Sequence, residues 1–454
     1  MRDAALTYAE EQQPRFIEQL QAFLRIPSIS TERAHRGDID RAAEWLASDM
    51  GRLGLRDVAV LETRGHPVVY GDWLGAPGAP TILIYGHYDV QPPGAAAEWT
   101  HDPFAALIDG GRVHARGASD NKAQHFSHLK AVESYLATAG RLPLNIKFCL
   151  DGEEEIGSPH IASFVEEQKE RLAADLLVMS DGAMLGPGRP SIDYALRGIV
   201  ALDVTLKGQK RALHSGSYGG SVANPLQALS ALLASLHDAD GRVAIPGFYD
   251  RVQPLADAER ALLAQVGYEE EQWRAETGAL APWGEPAYTL LERMTARPTC
   301  EINGLWGGYQ GEGVRTILPP SAGAKISFRL VEDQDPDEIA ALFRAHVERL
   351  TPPQLRAEIT VHAGAPAAVT PYDSAAVAAA RRALQAVWGV APVLSRGGGS
   401  LPVVAAFQQV LQVDYLLLPL GLDDNRHAPN EYYDLERLAK GVATAIHLYR
   451  ALAD

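Results

Sequence analysis

The sequence predicts an α/β protein, a sheet flanked by helices, with a smaller two-layer α+β domain inserted into it. Two patterns carry that expectation. Four short apolar runs, continuous as buried strands are, end at or shortly before acidic or imidazole groups: Thr81 to Tyr85 before His87 and Asp89, Asn145 to Leu150 before Asp151 and Glu153 to Glu155, Asp175 to Ser180 before Asp181, and Tyr415 to Gly421 ahead of His427. Between about 196 and 365 the pattern changes to alternating strands and helices whose order, β-α-β-β-α-β, suggests the inserted layer pair.

Taken in order, apolar spacing predicts a helix from about Thr7 to Arg25 (Phe16, Leu20, Phe23, Leu24), stopped by Pro27. A second helix follows from Asp40 to Leu53, then strands at Val58 to Leu61, Val68 to Trp73 and Thr81 to Tyr85. Asp120 stands close to the start of a helix from about Ala123 to Thr138, where an N-cap alone would explain it. In the inserted stretch, Ile199 to Leu206 and Ala324 to Val331 alternate as half-buried strands, Pro225 to His237 and Asp337 to Leu350 read as helices, and Gln354 to His362 as a last strand. Residues 240 to 298 read as a mostly helical embellishment. An alanine-rich helix from Ser374 to Trp388 and the cluster Arg396-Gly-Gly-Gly-Ser400 return the chain to the first domain, so the expected division is 1–195 with 366–454 around 196–365.

A chain of 454 residues has room for two cores, and 46% hydrophobic with 22% charged residues is a soluble globular composition. The net charge of −16 disfavours nucleic acid and anionic lipid as partners. Two cysteines, Cys149 and Cys300, exclude a disulfide framework and suit a reducing compartment. The start has no apolar signal core and no run approaches a membrane span, so a cytoplasmic protein is expected.

In open α/β sheets ligands lie beyond the carboxyl ends of the strands. Strand ends carrying His87, Glu154 with Glu155, Asp181 and His427, plus Asp120 at a helix start, therefore describe one convergent site. Two imidazoles among several carboxylates suit two divalent ions, zinc first, with manganese or cobalt as alternatives. If the ions share one carboxylate, five ligands are needed, and His87, Asp120, Glu155, Asp181 and His427 supply them. Glu154 is then free as general base toward a water acidified between the ions. Asp89, two residues along the strand from His87, can orient its imidazole. A lone His-x-Asp is usually an ordinary loop pair, and three adjacent acids usually a solvated face; the recurrence at strand ends is what marks these.

The stretches Phe23-Leu-Arg-Ile-Pro-Ser-Ile-Ser30, Gly86-His-Tyr-Asp-Val90, Arg116-Gly-Ala-Ser-Asp-Asn-Lys122, Glu153-Glu-Glu-Ile-Gly-Ser158, Ser180-Asp-Gly182, Leu213-His-Ser-Gly-Ser-Tyr-Gly-Gly220 and His427-Ala-Pro-Asn-Glu431 resemble the co-catalytic di-zinc peptidases, the family of carnosinase, cytosolic nonspecific dipeptidase, carboxypeptidase G, peptidase T and aminoacylase. The resemblance runs almost end to end and is closest to the carnosinase and cytosolic dipeptidase branch. It implies a di-zinc exopeptidase-type catalytic domain built on a mixed sheet, with an inserted dimerisation (lid) domain and a homodimer. By the same likeness Asp120 bridges the metals, His87 and Asp181 serve one, Glu155 and His427 the other, Asp89 orients His87 and Glu154 is the base. Also by likeness, His214 reaches a neighbouring subunit's site to hold the oxyanion, while Thr316, Arg329 and the Gly398 to Ser400 loop, Gly399 included, receive the substrate's free carboxylate.

Two positions depart from the family's pattern. Ala123 with Gln124 stands where many relatives carry glycine and then a small residue or proline, and Asp181-Gly-Ala183 replaces more polar variants; both departures are expected to line the pocket. His125, His128, His160 and His447 are expected to be surface or packing residues. A serine hydrolase is disfavoured because Ser215 lacks a Gly-x-Ser-x-Gly elbow, and a nucleotide site because glycines 397 to 399 form no phosphate-loop motif. The expected activity is hydrolysis of dipeptides or short peptides with a free carboxyl terminus. The alternatives are deacylation of N-acyl amino acids and a silent metal-dependent peptide-binding protein.

Overall fold

The structure, a computed structural model, describes residues 3–362 and 364–454. Chain contacts divide it into two units: residues up to Tyr194 with Val369–Ser395 and Ala406–Asp454, and Ala195–Ala368 with Arg396–Ala405. The expected assignment of everything after 366 to the first domain is corrected for Arg396–Ala405. That stretch is held by the second unit: the Arg197 backbone N–H donates to the Gly399 carbonyl at 3.1 Å, its Nε to the Gly398 carbonyl at 2.7 Å, and Arg329 Nη1 to Ser400 Oγ at 2.7 Å.

In the first unit, nine strands of the described residues form one mixed sheet in the order Arg56–Leu61, Val68–Trp73, Asn145–Asp151, Thr81–His87, Leu176–Met179, Asp414–Leu417, Ser191–Leu196 and Ala368–Val369, with Val393–Gly397 beside Ser191–Leu196. The four central strands are parallel. His87 lies opposite Asp151, Tyr85 opposite Met179, and Met179 opposite Leu417. Their continuous apolar sequences are what a parallel strand covered on both faces requires. Being parallel and in step, all four open their carboxyl ends along one edge.

The first helix, Ala4–Leu24, begins three residues earlier than apolar spacing suggests, because the Asp3 side chain accepts the Ala5 N–H and caps it. Its face of Phe16, Leu20 and Leu24 packs with Ala123 and Phe126 of the helix Ala123–Ala139 and Leu438 of Leu435–Ala453. Among the described residues no helix is long and apolar enough to cross a membrane.

The second unit has an antiparallel sheet ordered Thr299–Gly307, Ser321–Leu330, Gly198–Lys207, Arg356–Val361. One face, with Val200, Leu202, Val204, Leu206, Ile326, Phe328 and Leu330, is buried against Leu229 and Leu232 of Pro225–Ala234 and Phe343 and Val347 of Pro336–Leu350. Thr299–Gly307 is the strand that sequence reading did not place: it is an edge strand, largely exposed, so Glu301, Asn303 and Gly304 break the alternation that burial would impose. Residues 240 to 298 contain the short helices Asp257–Ala264, Glu270–Thr277 and Leu290–Thr295.

Candidate metal centre

The parallel strand ends bring the distant donors together. His87 closes its strand fully buried, and its Nε2 stands 3.1 Å from Asp120 Oδ1, 3.7 Å from Asp181 Oδ2 and 3.9 Å from Glu154 Oε2. The other Asp120 oxygen, Oδ2, is 3.1 Å from His427 Nε2, which in turn lies 3.2 Å from Glu155 Oε2. Two clusters of potential ligand atoms result, His87 with Asp120 and Asp181, and Asp120 with Glu155 and His427. Asp120 belongs to both. The N-cap reading of Asp120 is thereby corrected: its carboxylate faces imidazoles, and the helix behind it starts at Ala123 with no side-chain cap.

Asp89 acts on this cluster by two routes. His87 Nδ1 is 3.1 Å from the Asp89 carbonyl and 3.4 Å from its Oδ1, so the contact expected of the carboxylate is shared with the main chain. The Asp89 carboxylate accepts the backbone N–H groups of Glu154 and Glu155 at 3.1 and 3.0 Å. Of the three consecutive acids only Glu154 and Glu155 face the cluster; Glu153 turns away to the His66 N–H and the His160 ring.

The electrostatics ask for positive charge. Burial raises Glu154 to about 8, and Asp181, Asp89 and Glu155 add to the rise against the opposing pull of His87. Burial and the Asp120 charge raise Asp181 to about 6. Hydrogen bonds to Asp120 and Glu155 raise His427 to about 10. Burial opposes a charged His87, yet Asp120 and Asp89 hold it well above the ordinary imidazole value, and both imidazoles hold Asp120 well below the usual carboxylate range despite its burial. Glu155 Oε1 is buried without a hydrogen-bond partner among the described residues. Packed acids that resist ionising together, an orphaned carboxylate oxygen and a nitrogen–oxygen donor set fit divalent cations.

Several buried polar groups that sequence reading passed over hold the donors in place. Glu431, fully buried, accepts the N–H groups of Gly117, Ser119 and Asp120 at 2.9, 2.8 and 3.1 Å and Arg116 Nη1 at 2.6 Å, so the loop of His427 grips the turn of Asp120. Asp424 takes both Arg437 nitrogens, Ser119 Oγ and the Leu422 N–H. Gln91 Nε2 donates to Glu155 Oε2 at 2.9 Å. Glu431 stands in a quoted motif, but its partners lie more than three hundred residues earlier and no local pattern joins them.

Ala123 and Gln124, expected to line the pocket, have no exposed surface. Ala123 is buried in the helix-packing cluster, and Gln124 is fully buried with its amide spent on backbone groups. His125 and His128 are also fully buried, while His160 pairs with Glu153. The substrate candidates separate into two groups. Arg329 meets Ser400, and Gly399 is tied to Arg197. His214 is exposed, its Nδ1 accepting the Gly216 N–H, and it is paired with Ile317 next to exposed Thr316, whose carbonyl accepts the Ser215 N–H. Thr316 precedes the strand Ser321–Leu330 and Arg329 stands near its far end, so the stretch from Ser321 to Arg329, about 27 Å long, separates them. Thr316, grouped with Arg329 by the resemblance as a receiver of the substrate carboxylate, sits with His214 in this chain.

With this geometry in view, the comparisons with known proteins become specific. The Cys-Gly metallodipeptidase DUG1 of Candida albicans is 31% identical, covering 97% of this chain and 96% of that protein. The Beta-Ala-His dipeptidase of Homo sapiens is 29% identical over 93% of this chain and 87% of that protein. The crystal structure of the M20 family metallo-carboxypeptidase Sso-CP2 from Sulfolobus solfataricus matches with a TM-score of 0.83 and 33% identity, over 96% of this chain and 99% of that one. The family model described as peptidase family M20/M25/M40 matches residues 83–451, a span that contains every donor of the paired clusters, and the chain belongs to that family.

Proposed function

We propose that this chain is a metal-dependent dipeptidase that hydrolyses the peptide bond next to a free carboxyl terminus. The observation that carries it is Asp120, which presents one oxygen to His87 and the other to His427 at equal distances of 3.1 Å. His87, Asp120 and Asp181 would hold one cation, and Asp120, Glu155 and His427 the other, with zinc favoured by the mixed donor set and manganese or cobalt as alternatives. When bound, such a pair supplies the positive charge that acidifies water and polarises the scissile carbonyl.

Glu154 is the base. Its carboxylate lies beside His87 yet belongs to neither ligand cluster, which leaves it to take a proton from water and hand it to the leaving amine. Asp89 keeps the His87 ring oriented and holds the backbone of Glu154 and Glu155. Arg329, with Ser400 and the Gly399 backbone, receives the carboxylate of the substrate. His214 and Thr316, remote from Arg329 in one chain, serve the site of a second copy, His214 holding the oxyanion, which makes a homodimer through the inserted domain the working assembly. The two cysteines, both buried and unpaired, accord with a cytoplasmic enzyme.

The test is a panel of dipeptides, tripeptides and N-acyl amino acids, run after chelation and again with zinc, manganese or cobalt restored. Metal-dependent cleavage of dipeptides is expected. Turnover confined to N-acyl amino acids would replace this reading with a deacylase, turnover confined to longer peptides with a carboxypeptidase, and metal binding without any hydrolysis with a peptide-binding protein.

A further inference from the structure

Gln124 occupies the first turn of Ala123–Ala139 with no exposed surface. A primary amide has two acceptor lone pairs and two N–H donors, and here all four are used on backbone. Oε1 accepts the N–H groups of Leu420 and Gly421 at 2.8 and 3.2 Å. Nε2 donates to the carbonyls of Ser119 and Gly182 at 2.9 and 3.1 Å. Because the partners are two fixed donors and two fixed acceptors, the orientation of the amide is unambiguous. Each of the three segments it joins leads to a donor of the clusters: Ser119 precedes Asp120, Gly182 follows Asp181, and Leu420 with Gly421 opens the loop that carries His427. Packing at the junction is close, since a Cβ added to Gly421 would lie 2.9 Å from Ser119 Oγ and 3.0 Å from Gln124 Nε2.

We infer that Gln124 is a positioning residue of the metal centre, setting the spacing of the loops that deliver Asp120, Asp181 and His427. The inference rests on the metal-centre reading above and adds to it a group that touches neither metal nor substrate. A side chain that served only the core would bury apolar surface; this one fastens three main-chain segments whose common feature is a donor group. All four polar positions of the Gln124 amide are spent on the loops that carry the donors, so its loss acts on cation binding and turnover rather than on substrate affinity.

The test is Gln124→Leu, which keeps the volume and removes all four bonds, with Gln124→Glu as a second variant that keeps the two accepted bonds and sets a carboxylate oxygen against the Ser119 and Gly182 carbonyls. Zinc affinity of the metal-free protein is measured by competition with a chelating dye, well below the melting temperature of each variant. The expected result is a loss of about ten- to a hundredfold in affinity for Gln124→Leu. The kcat at saturating zinc falls while KM stays within about twofold. Zinc affinity unchanged in either folded variant overturns the proposal, as does failure of both variants to fold, which would make the role one of stability. Wild-type protein that binds no zinc, manganese or cobalt would instead overturn the metal-centre reading itself.

Discussion

The Asp89 carboxylate accepts the backbone N–H of Glu155 at 3.0 Å, so a residue from the loop after one central strand fixes the loop after its parallel neighbour. Its other oxygen takes the Glu154 N–H, and the same residue lies against the His87 ring. Asp89→Asn would turn an amide N–H toward one of these N–H donors while preserving shape. Zinc affinity and kcat are expected to drop by about ten- to a hundredfold with the fold intact, as checked by dye competition, kinetics and circular dichroism. A variant with native affinity and turnover would remove Asp89 from the machinery.

Glu154 lies 3.9 Å from His87 Nε2 but belongs to neither ligand cluster. Glu154→Ala should keep two bound cations per chain by elemental analysis and lose about three orders of magnitude in kcat, the cost of an essential proton shuttle. Loss of the metals together with activity would make Glu154 a ligand instead.

Arg329 is half-buried, and among the described residues it donates to the neutral hydroxyl of Ser400, which leaves the guanidinium able to meet an anion. Arg329→Ala should raise KM about ten- to a hundredfold for dipeptides with a free carboxyl terminus, the range for losing a hydrogen bond to a charged group. Amidated dipeptides should be affected little. An equal rise for both would place the carboxylate elsewhere.

His128 bonds Tyr449 and Ser180 from full burial, which pushes its imidazole from 6.5 down to about 3. The unfolded chain takes up a proton below 6.5 that the native ring refuses. The stability attached to this site is therefore complete above 6.5 and drains away as pH falls toward 3, by about 2 kcal/mol at pH 5. In His128→Gln the fall in unfolding free energy from pH 7 to pH 5, read from urea denaturation, should shrink by about that amount. An unchanged fall would mean that the buried ring carries a proton.

How the donor set was legible, and its scaffolding not, follows from where each is encoded. His87, Glu154, Glu155, Asp181 and His427 follow apolar runs, and a run that must be buried in a parallel sheet announces its own carboxyl end. Composition, strand periodicity and those ends were enough to name the candidates and the mixed α/β class. The edge strand Thr299–Gly307 escaped notice because a half-exposed edge exerts little demand on side-chain pattern.

Tertiary structure alone decided the rest. Gln124 reads on the sequence as a pocket residue, and Glu431 as one more loop acid, because Leu420 lies 296 positions from the one and Arg116 315 from the other and only folding makes those bonds. The separation of Thr316 from Arg329 by the length of a strand, and the transfer of Arg396–Ala405 to the smaller unit, are likewise matters of path through space. The local chain specifies which chemical groups stand at the ends of buried elements, since burial leaves its pattern within a few residues. Which main-chain groups those elements then present to one another is set by packing, and a buried amide or carboxylate is satisfied by whatever polar group the fold carries to it.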